Sequence, residues 1–127
     1  MQAATAIVKI SQKLDNDSLM DVCGLLQQEF LQGNYKKRQI YVKMCLVSMN
    51  KAPKFFEKYM CGHMILLARD RVVNVRICLA RGFSEHCKLV EEGMCEVNFM
   101  GHPIVKEAVE ILEKSQSKDV QDYMKEV

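Results

Sequence analysis

Apolar positions recur along this chain at helical spacing. Leu19, Val22, Cys23, Leu26 and Phe30 fall at i, i+3, i+4, i+7 and i+11, one stripe along one face. Asp15, Asn16 and Asp17 offer capping side chains before that stripe, and Gly33-Asn34 closes it. A second helix is expected over about 35–49, with Tyr41, Met44, Cys45, Ser48 and Met49 inward. Asn50 to Ala52 connect it to a third over 53–68, which Pro53 suits as a first-turn residue and whose Phe56, Met60, Met64 and Leu67 align. Arg69-Asp70-Arg71 reads as a turn, with Asp70 placed to accept from the free amides opening a fourth helix over 71–87. That helix should bury Val75, Cys78, Leu79, Gly82 and Phe83, with Gly82 marking a close helix approach. Residues 88–101 show little periodicity and read as a connection. A fifth helix follows over 103–114, with Ile104, Ala108, Ile111 and Leu112 inward. Ser115-Gln116-Ser117 turns the chain into a last helix packed through Val120 and Met124. Ala6, Ile7, Ile10 and Leu14 add a leading helix over 1–14. The expectation is an all-α array of helical hairpins without a strand.

Composition narrows this picture. The 127 residues are 49% hydrophobic, enough for a packed core and for one domain. The longest apolar run is Met64-Ile65-Leu66-Leu67-Ala68, too short to cross a membrane, and no charged-then-apolar leader is apparent. The net charge of +2 hides a split. Residues 1–81 hold 13 Lys/Arg against 6 Asp/Glu, whereas residues 82–127 hold 5 against 10. Such a chain is dipolar rather than a uniformly basic nucleic-acid binder.

Candidate chemistry is sparse. Six cysteines (Cys23, Cys45, Cys61, Cys78, Cys87, Cys95) lack any C-x-x-C pairing, and reduced thiols among apolar neighbours are the expectation. Cys61-x-His63 with His86-Cys87 comes nearest to a metal set. Residues two apart on a helix point away from each other, so no metal is expected. His102, before Pro103, carries no catalytic signature. Glu107, Glu110 and Glu113 form a wet helical stripe rather than a paired carboxylate site. No nucleophile elbow, phosphate loop, dinucleotide fingerprint or zinc-protease motif is present, so neither catalysis, a cofactor nor a small-molecule substrate is expected.

The stronger signal is an internal repeat. Phe30 with Lys37-Arg38, Leu67 with Val75-Arg76, and Leu112 with Val120-Gln121 hold equivalent places in three helix–turn–helix units. The offset is 38 residues from Arg38 to Arg76 and 45 from Arg76 to Gln121, near the period of about 40–47 for two-helix solenoids. The units are expected at 17–50, 53–88 and 102–127, with the extra length of the last interval placed in an insertion at 89–101.

Asp70-Arg71-Val72-Val73-Asn74-Val75-Arg76, followed by Leu79-Ala80, resembles the D-x-V-x-N-V-R signature of HEAT repeats. The form is closest to that of the scaffold (A) subunit of type 2A protein phosphatases. The HEAT-repeat regulatory subunit 4 of protein phosphatase 4 shares it. Gly33-Asn34-Tyr35-Lys36-Lys37-Arg38 is similar to the turn one unit earlier. Glu110 to Lys114 with Lys118 to Tyr123 is similar to the last repeat of that scaffold, so the resemblance covers about 17–126. Gln32 and Gln121 depart from it, standing where an acid and a base are usual. The resemblance implies a right-handed α–α superhelix (a HEAT-repeat solenoid) of about three hairpins, a segment of a longer array.

By the same resemblance, the turns inside each repeat would hold a serine/threonine phosphatase catalytic subunit of the 2A or 4 type. Carried over residue by residue, the contacts are Asn34, Tyr35 and Lys36; Arg69, Arg71, Val72 and Asn74; and Ser117, Lys118 and Asp119. Asp70 and Arg76 take structural roles, as an N-cap and as an inter-repeat ion pair. A cytoplasmic location follows, with the nucleus as an additional one. The rival from another class is a nucleic-acid-binding solenoid using Lys36, Lys37, Arg38, Arg69 and Arg71. Tyr35 alone among aromatics lies near them, which disfavours it. A general protein-binding, transport-receptor-like or purely structural solenoid stays open.

Overall fold

In the computed structural model, the structure describes residues 13–127 together with Ala6 and Lys9, so most of the expected leading helix at 1–14 lies outside the described residues. Every regular element among them is helical. We number the helices in chain order. α1 is Asn16–Leu26, extended by a π turn at Gln27–Leu31; α2 is Tyr35–Lys51. α3 is a composite rod over 53–68, α4 is Val73–Glu91, α5 is Pro103–Glu113 and α6 is Lys118–Met124. The rod runs from Pro53–Phe55 through a π turn at Phe56–Met60 and a 3₁₀ turn at Cys61–His63 into Met64–Ala68.

Local chemistry sets these boundaries. The Asp15 carboxylate accepts from Ser18 N–H at 2.8 Å, Asn34 Oδ1 accepts from Lys37 N–H at 3.0 Å, and Ser117 Oγ from Val120 N–H at 3.4 Å. Each satisfies a donor that the first helical turn leaves free. Asn34 therefore opens α2 rather than closing α1. Pro53 and Pro103 occupy the first turns of their helices, where a missing N–H costs nothing.

The helices pair as α1/α2, α3/α4 and α5/α6. The second members lie side by side in chain order: α4 packs on α2 along one flank and on α6 along the other. The last segment of α3, Met64–Ala68, packs on α5. Between the layers lie Tyr41, Val42, Cys45, Met49, Phe56, Met60, Met64, Leu79, Phe83 and Leu112, all essentially inaccessible. Methionine suits such a site because its unbranched side chain fills irregular gaps between rods. At Gly82 a Cβ would collide with both terminal methyls of Leu46, so the glycine leaves room for that side chain between α4 and α2.

Two expectations need correction. α5 buries Val105, Ala108, Val109 and Leu112, while Ile104 and Ile111 are only partly covered, because the helix packs on α3, α4 and α6 together and turns its face between them. The 88–101 stretch, expected as a connection, instead continues α4 and folds back onto the core. α4 runs on to Glu91, Gly93 (φ 75°) turns the chain, and Phe99 plugs back into the core at 2% exposure. Its ring meets Phe56 edge-on at 4.9 Å between centroids, and its N–H donates to Nε2 of buried His86 at 3.2 Å. That acceptance places the His86 proton on Nδ1, which donates to Asn50 Oδ1 at 2.6 Å.

Candidate functional site

The three interhelical turns repeat one internal brace. Arg38 Nη1 donates to the Gly33 carbonyl at 2.8 Å, Arg76 Nη1 to the Asp70 carbonyl at 2.7 Å, and Gln121 Nε2 to the Ser115 carbonyl at 2.6 Å. A long side chain one turn into the second helix thus ties down the loop before it. Gln121 does so with an amide in place of a guanidinium. The second and third turns share a further feature: Asp70 Oδ1 accepts from Val72 N–H at 2.9 Å and Ser115 Oγ from Ser117 N–H at 3.2 Å.

The inter-unit pair differs from the expected one. The Asp70 carboxylate is held by Arg38 of the preceding unit, with Nε to Oδ2 at 2.6 Å and Nη2 to Oδ1 at 3.1 Å, a bidentate contact. Arg76 reaches only the Asp70 carbonyl. The side chains of the Arg38–Asp70 pair are 14% and 7% exposed, so it is largely withdrawn from solvent screening. Asp70 is a half-cap too, because α4 begins at Val73 and the Asp70 side chain catches only the Val72 amide.

Between the first and second turns lies a cleft of about 400 Å³ lined by Leu31, Gly33, Arg38, Leu66, Arg69 and Arg71 among others. The anticipated contact residues divide there by exposure. Arg69, Arg71 and Asn74 are exposed around the second turn, as are Asn34, Tyr35 and Lys36 at the first. Among the described residues no carboxylate forms a salt bridge with Lys36, Arg69 or Arg71. Asn34 spends its side-chain oxygen on the α2 cap, and Val72 is half-buried against the core while Val73 faces outward. At the third turn Lys118 and Asp119 are exposed and Ser117 caps α6, but none of the three lines the cleft.

Leu66, 60% exposed at the cleft, was missed as a contact residue. The unbroken run Met64-Ile65-Leu66-Leu67-Ala68 held the signal, since five apolar residues cover more than a full helical turn and one of them must face outward.

Chemistry away from the interhelical turns (together the ridge) is muted. Burial pushes the Cys61 thiol up to about 11 and raises Cys45 further, so neither supplies a thiolate at neutral pH. His63 Nδ1 meets the hydroxyl of buried Tyr41 at 2.8 Å, and burial holds both His63 and His86 below the ordinary imidazole value. Among the described residues no three His, Cys, Asp or Glu side chains group as a metal site. No helix among them is long and apolar enough to cross a membrane. Compared with protein-family profiles, curated proteins and solved structures, the chain matches none.

Proposed function

We propose that this chain is a non-catalytic, protein-binding segment of three HEAT-like hairpins in a right-handed superhelix, and that its interhelical turns dock a serine/threonine phosphatase catalytic subunit of the 2A or 4 type. The observation that supports this reading best is the turn architecture: a brace repeated in three successive turns and an Arg–Asp rung tying the first turn to the second. That rung spends its charged groups internally. It leaves Arg69, Arg71, Lys36, Leu66 and Val73 outward, a basic lip with apolar contacts that suits an acidic, partly apolar protein surface. A cytoplasmic or nuclear setting accompanies the proposal.

The nucleic-acid reading loses ground on the same geometry. Lys37 pairs with Glu29 at 2.8 Å and Arg38 with Asp70, so two of its five basic residues are already engaged. The test is capture of purified 2A-type and 4-type catalytic subunits by the immobilised chain. Charge reversal at Arg69→Glu and Arg71→Glu should weaken capture about tenfold or more with helicity unchanged. Undiminished capture by the double variant removes the ridge assignment. Failure of the unaltered chain to capture either subunit removes the phosphatase reading.

A further inference from the structure

Arg76 stands in the second unit where Arg38 stands in the first, and the two arginines are used differently. On Arg38 all three guanidinium nitrogens are engaged: Nη1 with its own turn, Nε and Nη2 with Asp70 of the next unit. Arg76 repeats only the first contact. Its Nε is buried and has no hydrogen-bond partner, which makes it the one such side-chain atom among the described residues. An unpaired buried donor carries a desolvation cost that native chains seldom leave standing.

The matching turn position in the third unit carries no carboxylate. Ser115 occupies the place of Asp70, 45 residues on, and repeats both of its local contacts: its side chain accepts from the amide two residues later, and its carbonyl takes the brace from Gln121. A serine there keeps the turn but supplies no carboxylate for Arg76. From the empty half of that rung we infer that Ser115 is a phosphoacceptor site whose phosphate pairs with Arg76 and closes the second rung. A protein kinase would transfer the γ-phosphoryl of ATP to Ser115 Oγ. The Oγ–P bond forms as the bond to the ADP oxygen breaks, and the hydroxyl proton passes to the kinase's base. The product carries close to two negative charges and three strong acceptors, the class of group that a guanidinium fork binds best. Ser115 is half-buried in the short turn between α5 and α6, with exposed Lys114 and Gln116 on either side. This inference stands apart from the phosphatase reading, and either can fail alone.

The experiment places phosphoserine at 115 by co-translational incorporation in the whole chain and compares it with the unmodified chain, each also as Arg76→Gln. Phosphate should raise the Tm by about 3–6 °C with Arg76 present and leave it unchanged in the Arg76→Gln pair. A ³¹P titration gives a second readout: the second ionisation of the phosphate should lie lower in the folded Arg76 chain than in the urea-unfolded one. Equal Tm shifts in the two backgrounds, a lowered Tm, or the same phosphate titration folded and unfolded would each overturn the rung. The chain recovered from eukaryotic cells with phosphatases inhibited should carry phosphate on Ser115 by peptide mass spectrometry. Its absence there overturns the acceptor assignment.

Discussion

The two junctions between units are built on opposite plans. The first, between the α1/α2 and α3/α4 hairpins, is fastened at the ridge, where Arg38 grips Asp70 across 32 residues of sequence. The second, between α3/α4 and α5/α6, has no such ridge pair and is fastened from inside. Phe99 fills a socket of Phe56, His86 and His102, while at the rim the exposed Glu126 accepts from Ser84 at 2.5 Å and pairs with Lys88 at 3.4 Å. A charge pair fixes register through geometry and direction, whereas an aromatic plug works through buried area and shape. The first junction should therefore respond to charge substitution and the second to truncation, while each holds one wholly or partly buried histidine that responds to pH.

The largest expected effect is at the plug. Phe99→Ala should lose about 3–5 kcal/mol in chemical denaturation and free the 92–102 connection to exchange its amides, because it removes a fully buried ring from the socket of Phe56 and His86. Asp70→Ala comes next, at about 2–3 kcal/mol, since it leaves the Arg38 guanidinium largely buried and unpaired. Gly82→Ala should cost about 1 kcal/mol as the end of the Leu46 side chain is pushed aside between α4 and α2. An unchanged stability in that variant would mean that Leu46 swings clear at no cost.

The smallest effect is the pH response of the second junction. Burial holds His86 below the ordinary value of 6.5, so the unfolded chain binds the proton more readily than the folded one. The corresponding stability is full above 6.5 and is lost as pH falls through the folded value. His63 titrates in the same direction and shares the loss, so the slope should flatten only in part in His86→Gln. A slope identical in the two chains would remove His86 as a cause.

Much of this was legible in the sequence. The helical periodicity placed α1, α2, α4 and α6 within a few residues, and Gly33-Asn34, Arg69-Asp70-Arg71 and Ser115-Gln116-Ser117 marked the interhelical turns. What escaped depended on partners far along the chain. The carboxylate of Asp70 could be read as an N-cap and, by the resemblance, as one half of an Asp70–Arg76 pair, whereas its partner is Arg38, 32 residues earlier. Phe99 is a single aromatic in a polar stretch, and its importance comes from Phe56 and His86, which no periodicity connects to it. The π and 3₁₀ turns of α3 left the spacing of Phe56, Met60, Met64 and Leu67 intact, so a regular helix and this broken rod carry the same pattern.

The contrast between the junctions is tested most directly by two double-mutant cycles in chemical denaturation, one pairing Arg38→Met with Asp70→Ala, the other pairing Arg76→Met with Ser115→Ala in the unphosphorylated chain. The first should show a coupling of about 1 kcal/mol or more, and the second should be additive within about 0.5 kcal/mol. Equal couplings in the two cycles, or none in the first, would contradict the account of a ridge rung closed at one junction and open at the other.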